Sequence, residues 1–204
     1  MGRIREKWVV LGLVAGAIAG FPLPAEAQVC RAGSPVAPSV ETREFRSDRF
    51  GVAFQIPANY RAMLRSDGDV TFHDPATFEF IQCLTRTGRY GAIALHTTLE
   101  VSPAPEGIQD LVLLVRRKRP WVDFYRPEFV PIDLAGKATL RYRYTSEIYR
   151  TDILNYSFRS ADGQTLVTLT GPASDPVLTQ AIATLTFTDT VTNPVTRPAP
   201  EPMN

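Results

Sequence analysis

Histidine and cysteine are scarce in this chain, two of each among 204 residues, and the scarcity narrows the chemistry before any motif is sought. Two cysteines, Cys30 and Cys83, allow one internal pairing and no Cys-x-x-Cys redox or zinc pattern. No serine sits in a Gly-x-Ser-x-Gly elbow. The segment TRTGRYG at 85–91 lacks the glycine spacing of a Walker or dinucleotide loop. Neither charge sign dominates, with 22 basic and 21 acidic side chains, so nothing attracts a polyanion globally and no nucleic-acid partner is expected. A long hydrophobic run is also missing: the apolar stretch Trp8–Phe21 is shorter than the about 20 residues of a bilayer-crossing helix. No repeat at a solenoid period is visible.

What is present begins with an export signal. Arg3, Arg5 and Lys7 precede the apolar stretch, and Ala25-Glu26-Ala27 forms an A-x-A cleavage site that leaves Gln28 as the first mature residue. Residues 1–27 are therefore read as a cleaved signal, and the product as a protein of an oxidising compartment outside the cytoplasm. There a Cys30–Cys83 disulfide would staple an amino-terminal strap, 28–44, to the domain, and chain-entropy arithmetic values such a loop at about 4 kcal/mol. The alternative for Cys30 is a lipid anchor; Ala27, Gln28 and Val29 ahead of it depart from the usual lipoprotein pattern, which has Leu three residues before the cysteine. The proline-rich end, 189–204, reads as a disordered tail. A single folded domain is expected over 45–188.

Inside those limits the leading signal is alternation. Val52, Phe54 and Ile56 share one side of an extended strand, and Leu140, Tyr142 and Tyr144 share another, opposite Thr139, Arg141, Arg143 and Thr145. Asp-Gly pairs at 67–68 and 162–163 punctuate hairpins, with RTGRYG at 86–91 and LAGK at 134–137 as weaker versions. About seven strands result. Two segments carry helical spacing instead. Ile108, Leu111, Val112 and Val115 form one stripe, followed by Arg116, Arg117, Lys118, Arg119 and Pro120. Asp175 and Pro176 open the second helix, with Val177, Leu178, Ala181, Ile182 and Leu185 as its apolar face, before a closing strand around Phe187. The fold class is α+β, with two main helices covering a largely antiparallel sheet.

The stretch FGVAFQIPANY at 50–60, an aromatic-Gly pair leading into a strand that ends in Pro and Tyr, resembles the opening of PsbP-like domains. LTGPASDPVLTQAIATLTFT at 169–188 is similar to that group's closing strand, helix and strand. The resemblance covers 45–188 in order of elements, as a divergent exported member related to the extrinsic subunit of photosystem II. It implies an α/β/α sandwich on the periplasmic or thylakoid-lumenal side of a photosynthetic membrane. The implied role is a non-catalytic one, assembling or stabilising a membrane protein complex such as a photosystem, peripheral to the membrane. No catalytic, metal or cofactor-binding residues are carried over.

Three local features point to sites. Arg116, Arg117, Lys118 and Arg119 form a docking patch for an acidic complex, or else a solvated helix end; Arg141 and Arg143 would extend the patch. His73 and His96 with Asp74 and Glu79 compose a candidate metal site of the imidazole–carboxylate kind, set against surface or structural histidines and a plain strand end at His73-Asp74-Pro75. The aromatic segment WVDFYRPEFVP at 121–131 reads as core and edge strand, because Pro127 and Pro131 disfavour a central one; exposed, its aromatics would recognise a partner. The competing functional class is an exported hydrolase or metal-dependent enzyme assembled from distant segments, marked by convergence of those four residues in one pocket.

Overall fold

The computed structural model describes residues 29–91 and 94–188. The cleavage site at Ala27–Gln28, the signal segment and the tail at 189–204 lie outside the described residues. Among the described residues ten strands, where about seven are expected from the sequence, form two sheets: β1 (Thr42–Ser47), β2 (Val52–Pro57), β3 (Arg61–Leu64), β4 (Val70–His73), β5 (Thr98–Pro103), β6 (Glu128–Leu134), β7 (Lys137–Ser146), β8 (Thr151–Arg159), β9 (Thr165–Pro172) and β10 (Thr186–Phe187). The main sheet is seven-stranded, in the order β3-β4-β5-β9-β8-β7-β6, and every pairing in it is antiparallel. β1, β2 and β10 make the smaller sheet.

The Asp-Gly pairs lie in the β3–β4 and β8–β9 turns, and LAGK joins β6 to β7 with Ala135 at φ 50° and Gly136 at φ 81°, the two positive values a tight hairpin requires. The fourth hairpin signal is corrected. RTGRYG begins in the last turn of a helix, α1 (Pro75–Thr87), with Gly88 as its left-handed carboxyl-terminal cap, its N–H bonded to carbonyls of the last turn. Asp74 caps the other end of α1 by accepting from the N–H groups of Ala76 and Thr77, and Pro75 takes the first helical position. Among the described residues there are thus three α-helices where two main ones are legible from spacing. The others are α2 (Leu111–Lys118), capped by Asp110, and α3 (Pro176–Thr184), capped by Asp175. A 3-10 helix, Pro120–Tyr125, follows α2, and no helix among the described residues is long and apolar enough to cross a membrane.

Strand periodicity decides the layers. Val70, Phe72, Leu99, Val167, Leu169 and Phe158 point to one side of the main sheet, where β2 and α3 cover them with Val52, Phe54, Ile56, Val177, Leu178 and Ala181. Leu140, Tyr142 and Leu166 point to the other, under Leu114 and Val115 of α2 and Val122 of the 3-10 helix. These two sides are the α3 face and the α2 face. The row across the middle of the α2 face is polar, and it organises the site.

Candidate functional site

Cys30 and Cys83 are disulfide-bonded. The bridge ties the strap to α1, where the Val36 N–H donates to Asp74 Oδ1 at 3.1 Å, and the Ser39 N–H donates to Asn59 Oδ1 at 2.9 Å. β1 follows at Thr42. The strap therefore crosses the amino-terminal end of α1, and its Pro35 helps roof a cavity beneath.

The basic cluster divides. Arg117 is exposed, and Arg116 is half-exposed, ion-paired with Asp123 at 3.0 Å. Lys118 is partly buried. Arg119 turns inward, 9% exposed, and is no part of an outer patch. Its guanidinium pairs with Glu100 and donates to Tyr142 Oη and Asn155 Oδ1, both at 3.2 Å, since a cation there is stable only when countered and hydrogen-bonded. Arg141 and Arg143 do not extend the cluster either: they alternate with Leu140 and Tyr142 and so lie on the α3 face, with the sheet between. The 3-10 helix that follows α2, and is joined to it by the Arg116–Asp123 pair, carries exposed aromatics instead. Phe124 is 86% exposed, Trp121 and Tyr125 are partly so, and Leu113 projects from α2. Trp121 packs edge-on to Tyr125 and Tyr144, with centroids 6.0 and 5.5 Å apart.

The two histidines converge. His73 ends β4 and His96 precedes β5, and their ring centroids are 4.3 Å apart. With Tyr60, Asp74 and Asp175 they line a cavity of about 270 Å³. Glu79 does not join them; it lines a separate depression beside the disulfide. Burial, aided by the neighbouring His96 and Arg65, pushes the His73 imidazole down to about 3, and burial also lowers His96. Both rings are neutral at physiological pH. His73 Nε2 bonds Thr71 Oγ1 at 2.8 Å, while its buried Nδ1 has no partner; His96 Nδ1–H donates to the Ala94 carbonyl at 2.9 Å, leaving Nε2 as the acceptor. Burial acts to raise the Asp74 carboxyl, but hydrogen bonds from Thr77, Val36 and Ala76 outweigh it and hold the group low. That carboxylate is committed to capping α1, and among the described residues no group of three His, Cys, Asp or Glu is arranged to hold a metal.

Beyond His96 the polar row continues along the α2 face. Thr98 lies opposite Thr170, Thr170 opposite Asn155, and Asn155 opposite Tyr142. Thr170 Oγ1 donates to Asn155 Oδ1 at 2.8 Å, the same oxygen that accepts from Arg119. Burial raises the Glu100 carboxyl, opposed by Arg119, and pushes the Tyr144 hydroxyl up to about 12. A second cavity, about 240 Å³, opens on this row between His96, Glu100, Tyr144 and Tyr149. Sequence reasoning passed over Glu100 and Asn155. Their signal was weak but present: Leu99 and Val101 place Glu100 on the opposite side of β5, and Asn155 interrupts an otherwise apolar strand centre.

No family model matches the chain, and no curated protein matches it. Among solved structures, it is similar to the solution structure of cyanobacterial PsbP (CyanoP) from Synechocystis sp. PCC 6803. That match has a TM-score of 0.45 and 14% identity, covering 77% of this chain and 97% of that one. It is also similar to a crystal structure from Bacteroides thetaiotaomicron VPI-5482, with a TM-score of 0.37 and 12% identity, covering 71% of this chain and 47% of that one, about half its length.

Proposed function

We propose that this is an exported, non-catalytic, PsbP-like accessory module that docks on a membrane protein complex of the photosystem kind, in the periplasm or thylakoid lumen. The observation that carries the reading is the set of exposed side chains on two adjoining elements, Leu113, Arg116 and Arg117 on α2 and Trp121, Phe124 and Tyr125 on the 3-10 helix, which the Arg116–Asp123 ion pair joins. Aromatic and arginine side chains are the types that anchor protein interfaces, and an apolar group as exposed as Phe124 gains from being covered. The basic rim selects an acidic partner surface and makes binding salt-dependent. The short motifs at 50–60 and 169–188 supply the family direction.

The test is a pull-down with the tagged protein from native membranes at low and high salt. Recovery of complex subunits at low salt, their loss at high salt, and their loss with Arg117→Glu or Phe124→Ala are expected. Recovery of nothing at either salt, or equal recovery by both variants, defeats the reading. The second reading, an exported hydrolase or metal-dependent enzyme, rests on His73, His96 and Asp74 lining one cavity, with Glu79 apart from them and Asp74 engaged in capping α1. Hydrolytic turnover, or a metal retained through dialysis and lost with His96→Gln, would put it first.

A further inference from the structure

We infer that the cavity of about 240 Å³ on the α2 face binds a small, neutral, polyhydroxylated ligand, of the size of a single sugar ring. At roughly 30 Å³ per water the space holds about eight waters, below the range of drug-sized pockets and ample for one six-membered ring. Thr98 and Thr170 form its floor, Tyr144 and Ser146 of β7 its wall, Tyr149 its mouth, and His96 the partition from the neighbouring cavity.

The charge pattern selects a neutral ligand. Among the described residues Glu100 is the one charged side chain in the lining, and Arg119, which does not line the cavity, pairs with it. A cation therefore meets no uncompensated anion, and an anion meets a carboxylate. The other polar groups are uncharged at neutral pH, because burial lowers His96 from an ordinary value already below 7 and a tyrosine hydroxyl such as Tyr144 is protonated there. Hydroxyls of threonine, serine and tyrosine both donate and accept, and His96 Nε2 accepts, which matches a ligand whose own hydroxyls do both. The Tyr149 ring, 53% exposed at the mouth, offers an apolar face to the C–H side of a sugar.

The lining is preorganised. The Tyr144 ring packs in a triangle with Trp121 and Tyr125, their centroids 5.5 and 4.9 Å away. The segment bearing His96 is pinned at Thr97, whose N–H and Oγ1 bond Asp175 Oδ2 at 3.0 and 2.6 Å. A rigid site of this kind loses little ordering entropy on binding.

The test is an amide NMR titration of the disulfide-intact exported chain with methyl glucoside, methyl galactoside and N-acetylglucosamine, with tetramethylammonium and inorganic phosphate as controls. Saturable shifts confined to Thr98, Tyr149, Thr170 and Gly171 are expected with at least one sugar. Thr98→Val, which keeps the shape and removes the hydroxyl, should weaken binding about tenfold with the unfolding midpoint retained. Tyr149→Ala, at the exposed mouth, tests the site should Thr98→Val fail to fold. No saturable shift with any sugar at tens of millimolar overturns the inference. Preference for tetramethylammonium or phosphate does so too, as does wild-type binding by Tyr149→Ala.

Discussion

Lowering the pH from 7 to 5 is expected to cost the folded protein about 2 kcal/mol through His73 alone. The ring is 2% exposed, and burial holds it down to about 3 from an ordinary 6.5. The unfolded chain binds a proton there as the pH falls through 6.5, whereas the native state refuses it until about 3. Stability is thus fully present above the unfolded value, is lost progressively across the window from 6.5 down to 3, and falls no further below it. Integrated between pH 7 and 4, the same difference reaches about 3 kcal/mol, a large share of a typical domain's margin. The perturbation is His73→Gln, which keeps a hydrogen-bonding group for Thr71 and removes the titration. Urea unfolding of both proteins at pH 7, 5 and 4, followed by tryptophan fluorescence, isolates the effect as the wild-type loss minus the variant loss. His96 is lowered too, by its own burial and by Arg65, against the Ala94 carbonyl and Asp175, which raise it; it is retained in the variant, so its own contribution drops out of the difference and only its coupling to His73 stays in. Parallel pH profiles would refute the claim that His73 is held neutral by burial.

Replacing both cysteines by serine should lower stability by about 2–4 kcal/mol, read as an earlier urea midpoint, and expose the strap around Val36 to proteolysis before the domain opens. Gly171→Ala should destabilise by about 1–3 kcal/mol, because a Cβ there meets Thr97 Oγ1 at 2.9 Å and the Thr97 backbone at 3.1 Å; an unchanged midpoint would show that β9 and the Thr97 segment can move apart.

Several elements were legible because one local rule settles each. Asp-Gly turns at 67–68 and 162–163, the Val52–Phe54–Ile56 and Leu140–Tyr142–Tyr144 alternations, and the Asp175-Pro176 start of α3 appear as read. The strand around Phe129 is an edge strand with Pro131 in it, as prolines demand. α1 was passed over although Asp74-Pro75 is the same cap signal as Asp175-Pro176. Its inward stripe is thin, Ile81 and Leu84 being the buried residues, and Gly88 serves equally as a hairpin glycine or a helix cap.

The site was less legible, since proximity between distant segments has no local signature. By itself the sequence determined the α+β class, the antiparallel character, the lone possible disulfide and the near-balance of charge, all of which follow from period, turn chemistry and counting; it left out α1 and three of the ten strands. Tertiary structure alone decided that Arg119 points inward to Glu100 while Arg117 faces solvent, that Arg141 and Arg143 lie across the sheet from α2, and that His73 meets His96 while Glu79 goes elsewhere. The reason is that strand order places β4 beside β5 and lays α2 on β7 and β8, and side-chain direction relative to those neighbours fixes burial, charge and protonation.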